Sequence, residues 1–174
     1  MTPNAELTGR RRVDALPARR SLSILLLAGK APTRRRPVNS ALGVTMLIRS
    51  IRPEEVNAAR LLLAGHGWTR KVGDAAKFET LVQRSQVALV AVENDQVVGF
   101  IRAITDGIYN GYISMVVVAK DYQGRGIGSA LMREAMRTNN EITWVLRADR
   151  EHVPTFYEKL GFQASKAAME RRRQ

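Results

Sequence analysis

The stretch VVVAKDYQGRGIGSALMREAMR, residues 116–137, passes from a β-branched run through three alternating glycines into a helical pattern. Val116, Val117 and Val118 favour a pleated, buried strand. Ile127, Leu131 and Ala135, with Met132 and Met136 beside them, recur at helical spacing and predict a helix with one buried face. Gly124, Gly126 and Gly128 fall between the two elements. A helix N-terminus presents unpaired N–H groups and partial positive charge, which suits an anion. Glycine lets such an anion reach the main chain without meeting a Cβ, and it permits positive φ. Arg125 adds a full charge at the rim. A plain strand-to-helix turn also tolerates flexible glycines, although three in alternation exceed what a turn requires. The spacing is G-x-G-x-G rather than the G-x-G-x-x-G of dinucleotide folds, and no Walker loop ending in Gly-Lys-Ser/Thr is present.

Working outward, Leu47–Ile51 reads as a short strand. Pro53 opens a helix whose apolar positions Val56, Ala59, Leu62 and Leu63 share a face. Gly65-His66-Gly67-Trp68 breaks that pattern, and a second helix around 74–84 carries Phe78, Leu81 and Val82. Residues 87–92 and 97–104 are β-rich runs joined by Glu93-Asn94-Asp95-Gln96, a hairpin turn signal. A third such run covers 112–119, followed by the glycine loop and its helix. Residues 142–146 read as a strand, and a short helix begins near Pro154 and ends near Gly161. Residues 162–164 and 168–170 are expected as two final short strands. The order is β-α-α-β-β-β-α-β-α-β(-β), an α/β domain around one mixed sheet.

The 174 residues suit one domain with a proper core, and the 45% hydrophobic and 25% charged content is ordinary for a globular chain. There is no cysteine, which removes disulfides, thiolate metal sites and a cysteine nucleophile together. The net charge of +12 is carried mostly by the ends: residues 1–45 hold +7, whereas 46–170 hold only +2. That distribution weakens a nucleic-acid-binding reading. Residues 1–45 read as a disordered basic extension or as codons upstream of a true start at Met46. Leu22–Ala28 after Arg19-Arg20 also fits a targeting signal. The expected domain is 46–170, with 171–174 as a basic tail. No apolar run approaches the length of a membrane span.

The segment Tyr122-Gln123-Gly124-Arg125-Gly126-Ile127-Gly128 resembles the Q/R-x-x-G-x-G/A signature of the GNAT superfamily of acyl-CoA-dependent N-acetyltransferases. Phe156-Tyr157-Glu158-Lys159-Leu160-Gly161-Phe162 is similar to the FYxKxGF block near that family's C-terminal end. The two motifs stand in the right order, and the resemblance covers roughly 46–170. It implies a single α/β domain with a central mixed, splayed sheet flanked by helices. It also implies that acetyl-CoA is the cosubstrate, held between the strand ending at Ala119 and the strand from Ile142. The implied cofactor-binding residues are Val116, Val117 and Val118 for the pantetheine arm, and Gln123, Gly124, Arg125, Gly126, Ile127, Gly128 and Ser129 for the pyrophosphate. Tyr157 is the implied general acid toward the departing sulfur. Many relatives place asparagine seven residues before that tyrosine, where this chain has Arg150; Asp149 or water would then replace the contact.

The expected reaction is acetyl transfer to a primary amine, on a small molecule or a protein, by direct attack in a ternary complex; a non-catalytic acyl-CoA sensor is the alternative. The base is open: Glu79, Glu93, Asp106 or a water chain could serve, while Met115 offers no carboxylate. Acceptor contacts are expected from 65–73 and from Gly107–Tyr112, where Trp68, Tyr109 and Tyr112 could stack on the ligand or simply pack. His66 and His152 read as loop or cap residues and make no metal site. Dependence on acetyl-CoA implies a cytoplasmic location; the near-neutral middle of the chain argues against a nucleic-acid partner, and the lack of a long apolar run against a membrane one. Oligomeric state stays open, a homodimer being the commonest closed assembly.

Overall fold

In a computed structural model, which describes residues 36–39, 45–137, 141–148 and 153–171, the chain enters the sheet at Arg36–Asn39 (β1). That strand lies inside the segment read from sequence as an extension, and it pairs antiparallel with Thr45–Ser50 (β2). Arg49 at the end of β2 is buried and hydrogen-bonds through both terminal nitrogens to Glu55, whose carboxylate also accepts from the Arg52 amide at 2.9 Å. This clasp fixes the start of the helix Val56–Leu63 (α1). The Gly65–Trp68 break appears as a wide turn, Ala64–Trp68, with Gly67 at φ 84°. One further turn of helix, Thr69–Val72 (α2), precedes Ala75–Gln83 (α3). Asp74 caps α3 by accepting the Lys77 amide at 2.9 Å.

Val87–Glu93 (β3) and Gln96–Thr105 (β4) form the expected hairpin. Asn94 and Asp95 both take positive φ, 50° and 59°, as a two-residue type I′ connection requires. Asn110–Val118 (β5) follows, then Ile127–Met136 (α4), Thr143–Val145 (β6) and Val153–Glu158 (α5). The six strands lie side by side in chain order, antiparallel throughout except for the parallel pair β5–β6. Residues 162–164 and 168–170 do not form strands. The run Gln163-Ala164-Ser165-Lys166-Ala167-Ala168 has no β-branched or aromatic side chain to hold a ladder.

Alternation along the strands, interrupted by register shifts in the β3–β4 and β4–β5 ladders, divides the core between two faces. On one, α1 and α3 cover Val90, Phe100 and Val117, with Phe78 and Phe100 packed at 6.1 Å between ring centroids. On the other, α4 lays Ile127, Leu131, Met132 and Ala135 over Leu89, Ala91, Ile101 and Ile113. Gly99 is what lets α4 come so close, since a Cβ there would stand 2.9 Å from Leu131 Cδ1. Among the described residues no helix is long and apolar enough to cross a membrane.

Candidate active site

β5 is the strand around which the site is built. On one side it pairs with β4 along most of its length; on the other, only Asn110, Gly111 and Tyr112 meet β6, at Thr143, Trp144 and Val145. Past Tyr112 the two strands part, as expected of a splayed sheet. Gly111 permits the junction, because a Cβ there would collide with the Trp144 ring.

The β4–β5 register slips by one residue between Phe100 and Arg102, and Met115 takes φ 60°. This is a β-bulge, which turns Ser114 and Met115 toward the same face. No glycine or proline announces it, so the sequence reading missed it. Beyond the bulge, the Ala119 amide donates to the Val98 carbonyl at 2.8 Å. Antiparallel alternation then commits Val117 to the ladder with Phe100 and turns the main chain of Val116 and Val118 toward the opening. The three valines therefore differ in what their main chains can offer, and Val117 offers least.

The glycine loop closes the far end of this opening. The Gln123 amide is committed to the Lys120 carbonyl at 3.2 Å, and its side chain donates to the Val118 carbonyl at 3.0 Å. From Gly124 to Ser129 the situation changes. Among the described residues none of these six amides has a hydrogen-bond acceptor, and the first bond of α4 runs from Ala130 back to Gly126. Gly124 and Gly126 take φ 76° and 78°, and nothing lies within 4 Å of where a Cβ would project from either. The result is a row of free donors under open space at a helix N-terminus, a cradle that fits a diphosphate. Arg125 is less free than the sequence suggested. Its guanidinium lies over the Tyr122 ring at 4.8 Å, donates to the Asp121 carbonyl at 3.0 Å and approaches Glu93 at 3.7 Å. It stiffens the loop from behind.

α5 approaches the same helix start. A Cβ on Gly128 would stand 3.3 Å from the Phe156 ring, so Phe156 is the residue of the second motif that meets the loop. Tyr157, next to it, is half-buried between the rings of Phe156 and Phe162, at 5.0 and 5.8 Å. Its hydroxyl makes no hydrogen bond to the described residues, and burial pushes its pKa above the ordinary phenol value. Tyr157 also borders a cavity of about 330 Å³ shared with Trp144, Leu146 and Phe162, which contains no residue of the glycine loop. Asp149, Arg150 and His152 lie outside the described residues.

The carboxylates considered as bases fare poorly. Glu93 is buried at the hairpin and faces Arg125, behind the loop. Glu79 accepts from Gln83 on the exposed side of α3. Asp106 accepts the amides of Asn110, Ile108 and Tyr109, which hold its carboxyl down at about 2. So acidic a group is a turn cap and a weak proton acceptor. Of the aromatic residues near the expected acceptor region, Tyr109 is exposed, Tyr112 is half-buried, and Trp68 carries the Lys71 ammonium over its ring at 4.8 Å. Among the described residues no cluster of side chains could hold a metal.

One residue went unnoticed in the sequence reading. Arg102 sits in the apolar run of β4 and is 7% exposed. Its Nε donates to Ser85 Oγ at 2.7 Å, and Ser85 in turn donates to the Leu81 carbonyl at 2.6 Å. Among the described residues no carboxylate lies within ion-pair distance of it. Burial pushes its pKa down, with Tyr112 opposing. A lone arginine inside Val97-Val98-Gly99-Phe100-Ile101-Arg102-Ala103-Ile104 was the available signal.

Comparison with known proteins agrees with this fold. Residues 84–164 match the acetyltransferase (GNAT) domain. N-alpha-acetyltransferase 30 of Schizosaccharomyces pombe is 32% identical over 89 residues, which cover 46% of this chain and 59% of that protein. A GNAT-family acetyltransferase from Streptococcus pneumoniae TIGR4 superposes with a TM-score of 0.60 at 25% identity, covering 75% of this chain and 99% of that one. A Deinococcus radiodurans R1 structure assigned as an acetyltransferase superposes with a TM-score of 0.56 at 31% identity, covering 73% and 88%. The chain belongs to the GNAT family of acetyltransferases. It spans from about a third to a little over half the length of the curated relatives it matches.

Proposed function

We propose that this protein transfers an acetyl group from acetyl-CoA to a primary amine by direct attack within a ternary complex. The observation that carries the reading is the run of six acceptor-free amides from Gly124 to Ser129 beneath two positive-φ glycines with clear space above them. These donors would hold the pyrophosphate, and the main chain of Val116 and Val118 would pair with the pantetheine arm along the open edge of β5. The bulge at Met115 would orient the thioester carbonyl.

In the transfer a C–N bond forms to the amine, the C–S bond breaks, and the leaving sulfur takes a proton. Tyr157 is the proposed donor, since its raised pKa keeps it protonated at neutral pH. An alkylamine has an unperturbed pKa near ~10.4 and must lose a proton before attack. Because the three carboxylates are otherwise committed, water reaching the acceptor side is the proposed route for that proton. Alignment of the two substrates is then the main source of rate.

Calorimetric titration with acetyl-CoA, followed by free-thiol release across a panel of amines, tests the reading. Binding accompanied by amine-dependent thiol release is expected. Absence of binding would overturn the reading, and binding with no turnover on any amine would reduce the protein to an acyl-CoA sensor.

A further inference from the structure

A buried guanidinium without a carboxylate partner is costly unless something anionic visits it. Arg102 is such a group, and its position bears on chemistry. It faces Ser114 across the β4–β5 ladder, one residue before the bulge at Met115. By alternation it shares the face of the sheet that carries Phe100, Ile104, Tyr112 and Ser114, and the bulge adds Met115 to that face. α4 and its glycine loop lie against the opposite face; on this one α1 and α3 cover Phe100 and Val117, while Ser114, Tyr112 and Ile104 stay partly open, so an acceptor would approach beside Arg102. Ser85 holds the Nε edge of the guanidinium, which leaves the two terminal nitrogens without a partner among the described residues. Tyr112 and Ser114 beside it are only half-buried.

Two residues further along β4, Ile104 begins an exposed apolar row. The register places Ile104, Tyr112 and Val145 next to one another across three strands, and they line a shallow depression together. Ile104 is 42% exposed and Val145 46%, unusual for apolar residues on a sheet face.

We propose that the acceptor amine carries a carboxylate, bound by the terminal nitrogens of Arg102, with an apolar body lying on the Ile104–Tyr112–Val145 row. The substrate class is an apolar amino acid. A planar guanidinium held at Nε presents its remaining edge to a carboxylate in the two-bond geometry. A site built around this pair rejects an analogue that leaves the guanidinium unmatched. The assignment rests on the transferase reading above and names the acceptor for that same site.

The test uses matched triples built on alanine, methionine and phenylalanine: the free amino acid, its amide and its decarboxylated amine. Steady-state kcat/KM is measured with saturating acetyl-CoA, and acceptor binding is measured by calorimetry with coenzyme A present. The acid form is expected to exceed its amide and amine partners by about 100-fold in at least one triple, chiefly through KM. Arg102→Met is expected to bring that ratio close to one while acetyl-CoA affinity stays within about twofold, and Arg102→Lys to restore part of it. Should Arg102→Met fail to fold, the wild-type ratios decide alone. Equal or better use of the amides and amines, or no binding of any acid form while acetyl-CoA binds, overturns the assignment and leaves the transferase reading standing. Failure of acetyl-CoA itself to bind overturns both.

Discussion

Gly126 is the N-cap of α4 and sits at φ 78°, a conformation that costs an L-residue roughly 1–2 kcal/mol. Any side chain there would also project into the space over the free amides. Gly126→Val is therefore expected to weaken acetyl-CoA binding by about tenfold or more, measured by calorimetry, at a modest cost in Tm. Tyr157→Phe should behave differently. It keeps the packing against Phe156 and Phe162 and removes only the hydroxyl, so kcat should fall by about 100-fold with little change in acetyl-CoA affinity. With the phenol pKa raised by burial, the alkaline limb of kcat assigned to Tyr157 should lie above the ordinary phenol value of about 10. Loss of that limb in the variant is the matching check. At this scale the sequence was informative where a motif concentrated the signal. Gly124 and Gly126 stood out by spacing and Tyr157 through the family resemblance, whereas Arg102 showed only as a lone arginine in an apolar run, because a buried charge is defined by its surroundings.

Among the elements, α4 joins the site to the core. Leu131 is fully buried and lies against the strand at Gly99, so Leu131→Ala should cost about 2–5 kcal/mol in denaturant unfolding. Acetyl-CoA affinity should fall with it if the helix start shifts. The clasp between β2 and α1 adds a pH term. Burial disfavours the Glu55 carboxylate, but hydrogen bonds from Arg49 and the Arg52 amide outweigh that, so its pKa lies below the ordinary value. A depressed folded-state pKa stabilises the native state above the unfolded pKa of about 4.3 and loses that contribution as pH falls further. Thermal melts from pH 7 to 3 should therefore show a shallower acid decline for Glu55→Gln, which starts from a lower Tm. α1, α3, α4 and the β3–β4 hairpin fall where apolar spacing and turn chemistry put them, whereas the two short strands expected at 162–164 and 168–170 did not form. The bulge in β5 was not readable, since Ser114-Met115-Val116 carries no residue that demands it. β1 also escaped notice, because Arg36-Pro37-Val38-Asn39 has no alternation to mark a strand.

For the whole molecule, one mixed α/β sheet was legible in the order of elements, the parting of β5 and β6 came from the family resemblance, and the spatial order of the strands comes from the structure. Short β6, three residues long, is what the bare sequence could not give, because its extent depends on how far it can follow β5. That parting has a further consequence. A strand edge with unsatisfied amides in a sheet's interior is open to solvent exchange and prone to recruit any extended chain that fits. In hydrogen–deuterium exchange the amides of Val116 and Val118 should therefore label quickly while Val117 between them stays protected, and both should slow sharply once acetyl-CoA is added. The ligand would then serve the sheet as the rest of its sixth strand, and the protein would be structurally complete only while holding its substrate.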